Sequence, residues 1–168
     1  MSYAQTILPE FDQEMANTRK ILELVPDDKL DWKATETTLS IGGNASHMVN
    51  LLTWTGMTLE SDSFDVHPKG SEPYKTPSLK SNQEILASFD KNVAAARAAI
   101  EKVDDEDMMK PWSLLKQGEV MFTMPRAVVI RSFVMNHTIH HRAILLTYLR
   151  LNGIAVPGMY GPGDEAAG

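Results

Sequence analysis

Four stretches of this chain repeat their apolar residues with the period of an α-helix, and segments bearing Pro or Gly separate them, which restricts the fold more than any other feature. In the first stretch Ile7, Phe11, Met15, Leu22 and Val25 fall largely at i+4 and i+7 steps and predict a helix over about 3–25. Pro9 either opens its regular part or kinks a short leading turn, and Pro26-Asp27-Asp28 stops it. Leu30 and Trp32 read as anchors of the connection that follows. Ser40 is the expected N-cap of a second helix reaching Glu60, with Gly42 and Gly43 in its first turn, where backbones can approach closely. Ser81 and Glu84 have the spacing of a capping box and begin a third helix that runs to Lys102. The fourth spans Pro125 to Asn152, with Pro at its start and Gly153 just past its end. Four amphipathic helices in 168 residues predict an all-α four-helix bundle, one domain over 1–168 whose tail frays at about 162–168.

The pattern lapses twice. Residues 61–80 hold three prolines and no steady period, which predicts a long loop between helices 2 and 3, free to shape the entrance to a site. Between Asp104 and Pro125 the run WSLLKQGEVMF can form a short hairpin turning at Gln117-Gly118, with a bare loop as the other reading.

Composition removes several classes of function. The chain has no cysteine, which excludes a disulfide scaffold, a thiolate metal site and a cysteine nucleophile, and suits a reducing cytoplasm. Acidic residues outnumber Lys and Arg by 22 to 16, a net charge of −6, and no basic cluster offers itself to phosphates, so no nucleic acid is expected as a partner. The N-terminal run lacks the basic start of a signal peptide, and no apolar run approaches the roughly 18 residues of a membrane span. No G-x-S-x-G elbow, phosphate-binding loop or dinucleotide fingerprint is present, and the methionines read as core filler.

The histidines are the informative residues. His137 and His141, four apart in NHTIHHR, share one face of the last helix and interrupt the row Val129, Phe133, His137, His141, Leu145. Such a pair can chelate one metal ion, or it can be two hydrogen-bonded histidines with no ion. Thr138 stands where the H-E-x-x-H motif carries its glutamate, so this is not a zinc protease of that kind. His47 lies on the row His47, Leu51, Trp54 of the second helix, again the face expected to meet the core. Three imidazoles converging in a core repel one another when protonated and are hard to satisfy, a conflict that a shared ion removes. His140 projects about 100° from His141, although an i, i+3 pairing with His137 is open to it. His67 falls in the Pro-rich loop and reads as solvated. Asn44 and Asn136 are either supports for the ligands or plain polar neighbours.

With GGNASHMVNL around His47, NHTIHHRAILLTYLRLNG on the last helix and the tail IAVPGMYGP, the chain resembles the DinB-like superfamily nearly end to end. The resemblance implies a four-helix bundle in which one histidine of the second helix and an H-x-x-x-H pair of the last bind a divalent metal, here His47, His137 and His141. The superfamily includes bacillithiol S-transferases and mycothiol-dependent enzymes. The implied activity is therefore metal-dependent S-transfer of a low-molecular-weight thiol, as cosubstrate, to a small-molecule electrophile. A metal-dependent hydrolase and a non-catalytic metal-binding stress or interaction protein are the alternatives. Three imidazoles suit several ions, zinc and nickel first. The resemblance and the broad apolar coverage of the second helix also imply a homodimer.

Overall fold

The computed structural model describes residues 2–164. The chain is mostly helical but not all-α, because a small three-stranded sheet stands beside the helices. Helix α1 spans Tyr3–Leu22 and starts earlier than Pro9 suggests: Ser2 accepts from the Gln5 backbone N–H and the Gln5 side chain accepts from Ser2 N–H, a complete capping box. With both ends of that turn capped, the helix runs through Pro9, which stands exposed in its interior. A short 3₁₀ turn, Asp27–Lys29, leads to the anchored stretch. Gly42 N–H donates to the Leu30 carbonyl at 2.8 Å. A Cβ on Gly42 would lie 3.0 Å from that oxygen and 3.1 Å from Leu30 Cβ, so any larger residue would have to push Leu30 back. Trp32 packs edge-on against Tyr148, with ring centroids 5.4 Å apart.

The second predicted helix is interrupted at Leu52 into α2 (Ile41–Leu51) and α3 (Thr53–Glu60). Ser40 caps α2 through Gly43 N–H. Helix α4, Asn82–Lys102, begins with half of the expected box: the Ser81 hydroxyl accepts from Glu84 N–H, while the Glu84 carboxylate accepts from Lys80 N–H instead of Ser81. Helix α1 packs on α4 and on α7 (His137–Leu151), and α2 packs on the same two, so the main core forms between them around Phe11, Ile21, Ile41, Met48, Phe89, Ile100 and Leu145. The apolar breadth of α2 is used inside the chain: Met48, Val49, Leu51 and Leu52 are all buried.

The departures from all-α lie where the helical period lapsed. Within the expected loop, β1 (Ser63–Asp65) pairs in parallel with β2 (Pro111–Lys116), which pairs antiparallel with β3 (Glu119–Pro125). Gln117 and Gly118 both have positive φ, 55° and 79°, as a two-residue hairpin turn requires. The Asp65 carboxylate accepts from the backbone N–H groups of His67, Gln117 and Gly118, tying β1 to that turn. Three strand residues with no alternation give no periodic signal. Their pairing depends on a partner some fifty residues away, such as Ser113 for Ser63. The short helix α5 (Asp105–Met108) precedes the hairpin.

The last helical segment is also irregular. Helix α6, Arg126–Val129, passes into a π-helical stretch, Ile130–Asn136, before α7. It ends as predicted: Gly153 has φ 73°, Ile154 N–H reaches the Leu149 carbonyl and Gly153 N–H that of Arg150, the two bonds of a Schellman motif. The π stretch shifts the register of the predicted row. Val129 and Phe133 join a second apolar cluster with Trp112 and Leu114 against the sheet, while Leu145 stays in the main core.

Candidate metal centre

Helices α2 and α7 pack along each other, and their contact brings His47, His137 and His141 together. The ligand nitrogens of the three lie within 4.8 Å of one another. His137 Nε2 is 3.1 Å from His141 Nε2 and 3.5 Å from His47 Nε2. Nitrogens held 2.0–2.1 Å from a tetrahedral zinc stand about 3.3 Å apart, so these separations bracket what one ion needs. The donor set is three neutral nitrogens, and among the described residues no carboxylate joins it. These residues could hold a divalent metal. All three imidazoles are partly exposed, whereas a row running into the core predicts enclosure. Their neighbours Met48 and Leu145 are fully buried, so the site lies at the margin of the apolar stripe, where a small molecule can reach it.

Burial is the first cause that holds every one of the three below the ordinary imidazole pKa. The neighbouring His137 adds to it for His47, and the nearby His140 for His137. His141, with His47, His137 and His140 all close, is pushed down to about 3. Neutral imidazoles keep a lone pair for a metal.

Two of the rings have side-chain partners behind them, while the Phe133 backbone carbonyl raises the His137 pKa and so offsets part of the effect of burial. That carbonyl is the regular acceptor of His137 N–H in an α-helix, but at the end of the π stretch His137 N–H turns to Val134 instead. Thr76, from the loop between helices α3 and α4, brings its hydroxyl to 3.5 Å from His47 Nδ1, at the limit of a hydrogen bond. Asn44 holds His141 most closely, with Oδ1 2.6 Å from Nδ1.

The other candidates separate. His140 is exposed, with its ring edge-on to His141 and outside the group. His67 is partly buried beside β1, rather than solvated, and is also outside it. Asn136 is exposed and accepts from Arg131, a plain surface polar residue. A cavity of about 160 Å³ opens beside His141, lined by Thr38, Leu39, Asn44, Ile144 and Tyr148.

One polar cluster escaped the sequence reading. Arg142, directly after His141, is 2% exposed and pairs with buried Glu14 at 2.6 Å. It also donates to the Thr18 hydroxyl and to Tyr160 Oη, and the Tyr160 hydroxyl donates to the Glu14 carboxylate at 2.7 Å. The signal was present. Glu14 and Thr18 fall on the apolar face of α1, and Arg142 falls on the row Thr138, Arg142, Leu145, Leu149.

Comparison with known proteins agrees with this architecture. A curated relative from Bacillus subtilis (strain 168), described as the uncharacterized protein YrdA, is 26% identical over 159 residues, covering 94% of this chain and 88% of its own length. A crystal structure of a DinB-like protein from Bacillus cereus ATCC 10987 superposes with a TM-score of 0.69 at 23% identity, covering 93% of this chain and 97% of that one. A DinB-like protein from Bacillus subtilis, YjoA, gives the same TM-score at 15% identity, over 92% of this chain and 96% of its own. At these identities the two structures speak for the fold. The model of the DinB family matches residues 1–167, and the chain belongs to that family.

Proposed function

We propose that His47, His137 and His141 hold a divalent metal ion, zinc or nickel first, at one corner of a four-helix bundle, and that the protein is a metal-dependent enzyme. Its reaction in this reading is S-transfer of a low-molecular-weight thiol to a small electrophile. The observation that carries the proposal is the convergence of three partly exposed imidazoles in a group that stops at three among the described residues, the ligand count of a catalytic centre with a free position. A cation held there supplies Lewis acidity, which lowers the pKa of a coordinated thiol from about 8.5 and makes it a nucleophile at neutral pH. The chain's own part is to keep three imidazoles neutral through burial and mutual proximity, and to hold the His141 ring through Asn44. The cavity beside His141, walled by Leu39, Ile144 and Tyr148, would take the apolar part of a substrate and exclude water from it. With no cysteine in the chain, the thiol must come from solution.

The test is a panel of glutathione, bacillithiol, mycothiol and coenzyme A against several small electrophiles, using zinc- and nickel-loaded protein. At least one pair should react faster than its uncatalysed rate, and His141→Ala should abolish the acceleration. Uncatalysed rates for every pair, with metal demonstrably bound, would overturn transfer and leave hydrolysis or a binding role.

The same reading includes a homodimer. Support for it does not come from α2, whose apolar face is internal, but from β3, an edge strand that exposes Val120 and Met121 at 60% and 58%. Light scattering at micromolar concentration is expected to report about twice the chain mass. A monomer would overturn the pairing.

A further inference from the structure

The contact between Asn44 and His141 contains more information than a distance. Asn44 is fully buried in the first turns of α2 and touches His141 at two points. Its Nδ2 is 2.9 Å from the His141 backbone carbonyl, and its Oδ1 is 2.6 Å from His141 Nδ1. A carbonyl can only accept, so the amide NH₂ must face it, and this settles which way the side chain is turned. The oxygen that then faces the ring can also only accept, so Nδ1 must carry the proton. A neutral imidazole has one N–H, and Nε2 is left with its lone pair, 3.1 Å from His137 Nε2.

We propose that Asn44 is a positioning residue that locks His141 in the Nδ1–H tautomer and aims its Nε2 lone pair at the point shared with His47 and His137. The inference rests on the metal-binding reading above for its purpose, and its geometry rests on the two contacts of Asn44 with His141. Asn44 grips the ring and the backbone of the same residue from the neighbouring helix, so the docking of α2 on α7 sets ring orientation. Neither His47 nor His137 is held this way: the contact of His47 with Thr76 is 3.5 Å long, and among the described residues the His137 ring has only the other two imidazoles within hydrogen-bond distance. Support of this kind behind a ligating imidazole is typically worth 10–100-fold in metal affinity.

The first measurement uses the unaltered chain. Long-range ¹H–¹⁵N correlation spectra of metal-free protein at neutral pH should show His141 with a protonated Nδ1 and a bare Nε2, and the opposite tautomer overturns the inference. The second compares zinc affinity, by chelator competition, in the parent protein, Asn44→Ala and Asn44→Asp. Asn44→Ala should bind about 10–100-fold more weakly and lose the single tautomer. Asn44→Asp, which still offers an oxygen to Nδ1–H but sets its other oxygen against the His141 carbonyl, should keep the tautomer and recover only part of the affinity. Parent-like affinity in Asn44→Ala overturns the positioning role. Equal loss in both variants, with the Nδ1–H tautomer kept in each, overturns it too, because the defect is then in helix docking. If the parent chain binds no zinc or nickel at all, the metal reading falls, and the spectra of the metal-free protein still decide the tautomer.

Discussion

Replacing His141 with Ala is expected to weaken zinc or nickel binding by more than a hundredfold, and His47→Ala and His137→Ala should do the same. A structural zinc site is worth roughly 10–16 kcal/mol over four ligands, about 2.5–4 kcal/mol for each, and every 1.36 kcal/mol is tenfold. Here only three imidazoles share the work, and two of them leave too few donors to replace the hydration shell of the ion. His140→Ala should bind nearly as the parent does, because its exposed ring stands outside the group. Competition with a chelator, on protein purified without a histidine tag, reads all four variants. Equal losses for His140→Ala and His141→Ala would mean that the ligand face of α7 is wrongly assigned.

Acid should release the ion as well, because a proton competes for the same lone pair. The direction for the metal-free chain follows from the lowered pKa values. Folded His141 titrates near 3, and His47 and His137 also lie below the ordinary value, so the unfolded chain binds protons first as pH falls below about 6.5. Stability of the metal-free protein is therefore full above that pH and declines from about 6.5 toward 3. Thermal melts across that range, with and without zinc, check both effects.

Arg142→Ala is expected to be the most damaging single change to stability outside the hydrophobic core. It would leave the Glu14 carboxylate, 6% exposed, without its counter-charge. Removing one partner of a buried ion pair typically costs about 3–5 kcal/mol, far more than the pair's net worth. For a chain of this size that lowers Tm by roughly 6–20 °C. The double variant Glu14→Gln/Arg142→Met should recover most of the loss, because no uncompensated charge remains. Tyr160→Phe should cost about 1–2 kcal/mol, since it removes hydrogen bonds and leaves the pair. A melt of Arg142→Ala within about 2 °C of the parent would show that water reaches Glu14 and that the pair is not buried in solution. The cluster lies one residue from His141 and joins α7 to α1 and to the tail, so it also holds the turn that carries a candidate ligand.

The helices and their ends were legible in the sequence because they depend on neighbours within a few residues. Ser40 and Ser81 cap the turns that follow them, and Gly153 closes the last helix in the left-handed conformation. Two of the three candidate ligands were legible for the same reason, since i, i+4 spacing places His137 and His141 on one face. His47 stood out through its row on the second helix and through the family resemblance. Local signals also misled where a stronger one stood nearby. Pro9 argues for a late helix start, yet the Ser2–Gln5 capping box carries α1 through it.

The tertiary structure alone decided everything that needs a partner distant in sequence. Strand β1 exists because residues near 113 lie alongside it, and its three residues have no periodicity to announce that. Around the π-helical stretch one helical segment serves two apolar clusters, with Val134 and Met135 in the main core and Val129 and Phe133 toward the sheet. No spacing rule records such a compromise. Whether Glu14 faces solvent or Arg142 depends on a contact across 128 residues. Asn44 and Asn136 were equivalent as residues close to ligands. Only the packing of α2 on α7 turned one amide onto an imidazole and left the other at the surface with Arg131, because a hydrogen bond requires a placed donor and acceptor, which sequence spacing supplies within a helix but not between helices.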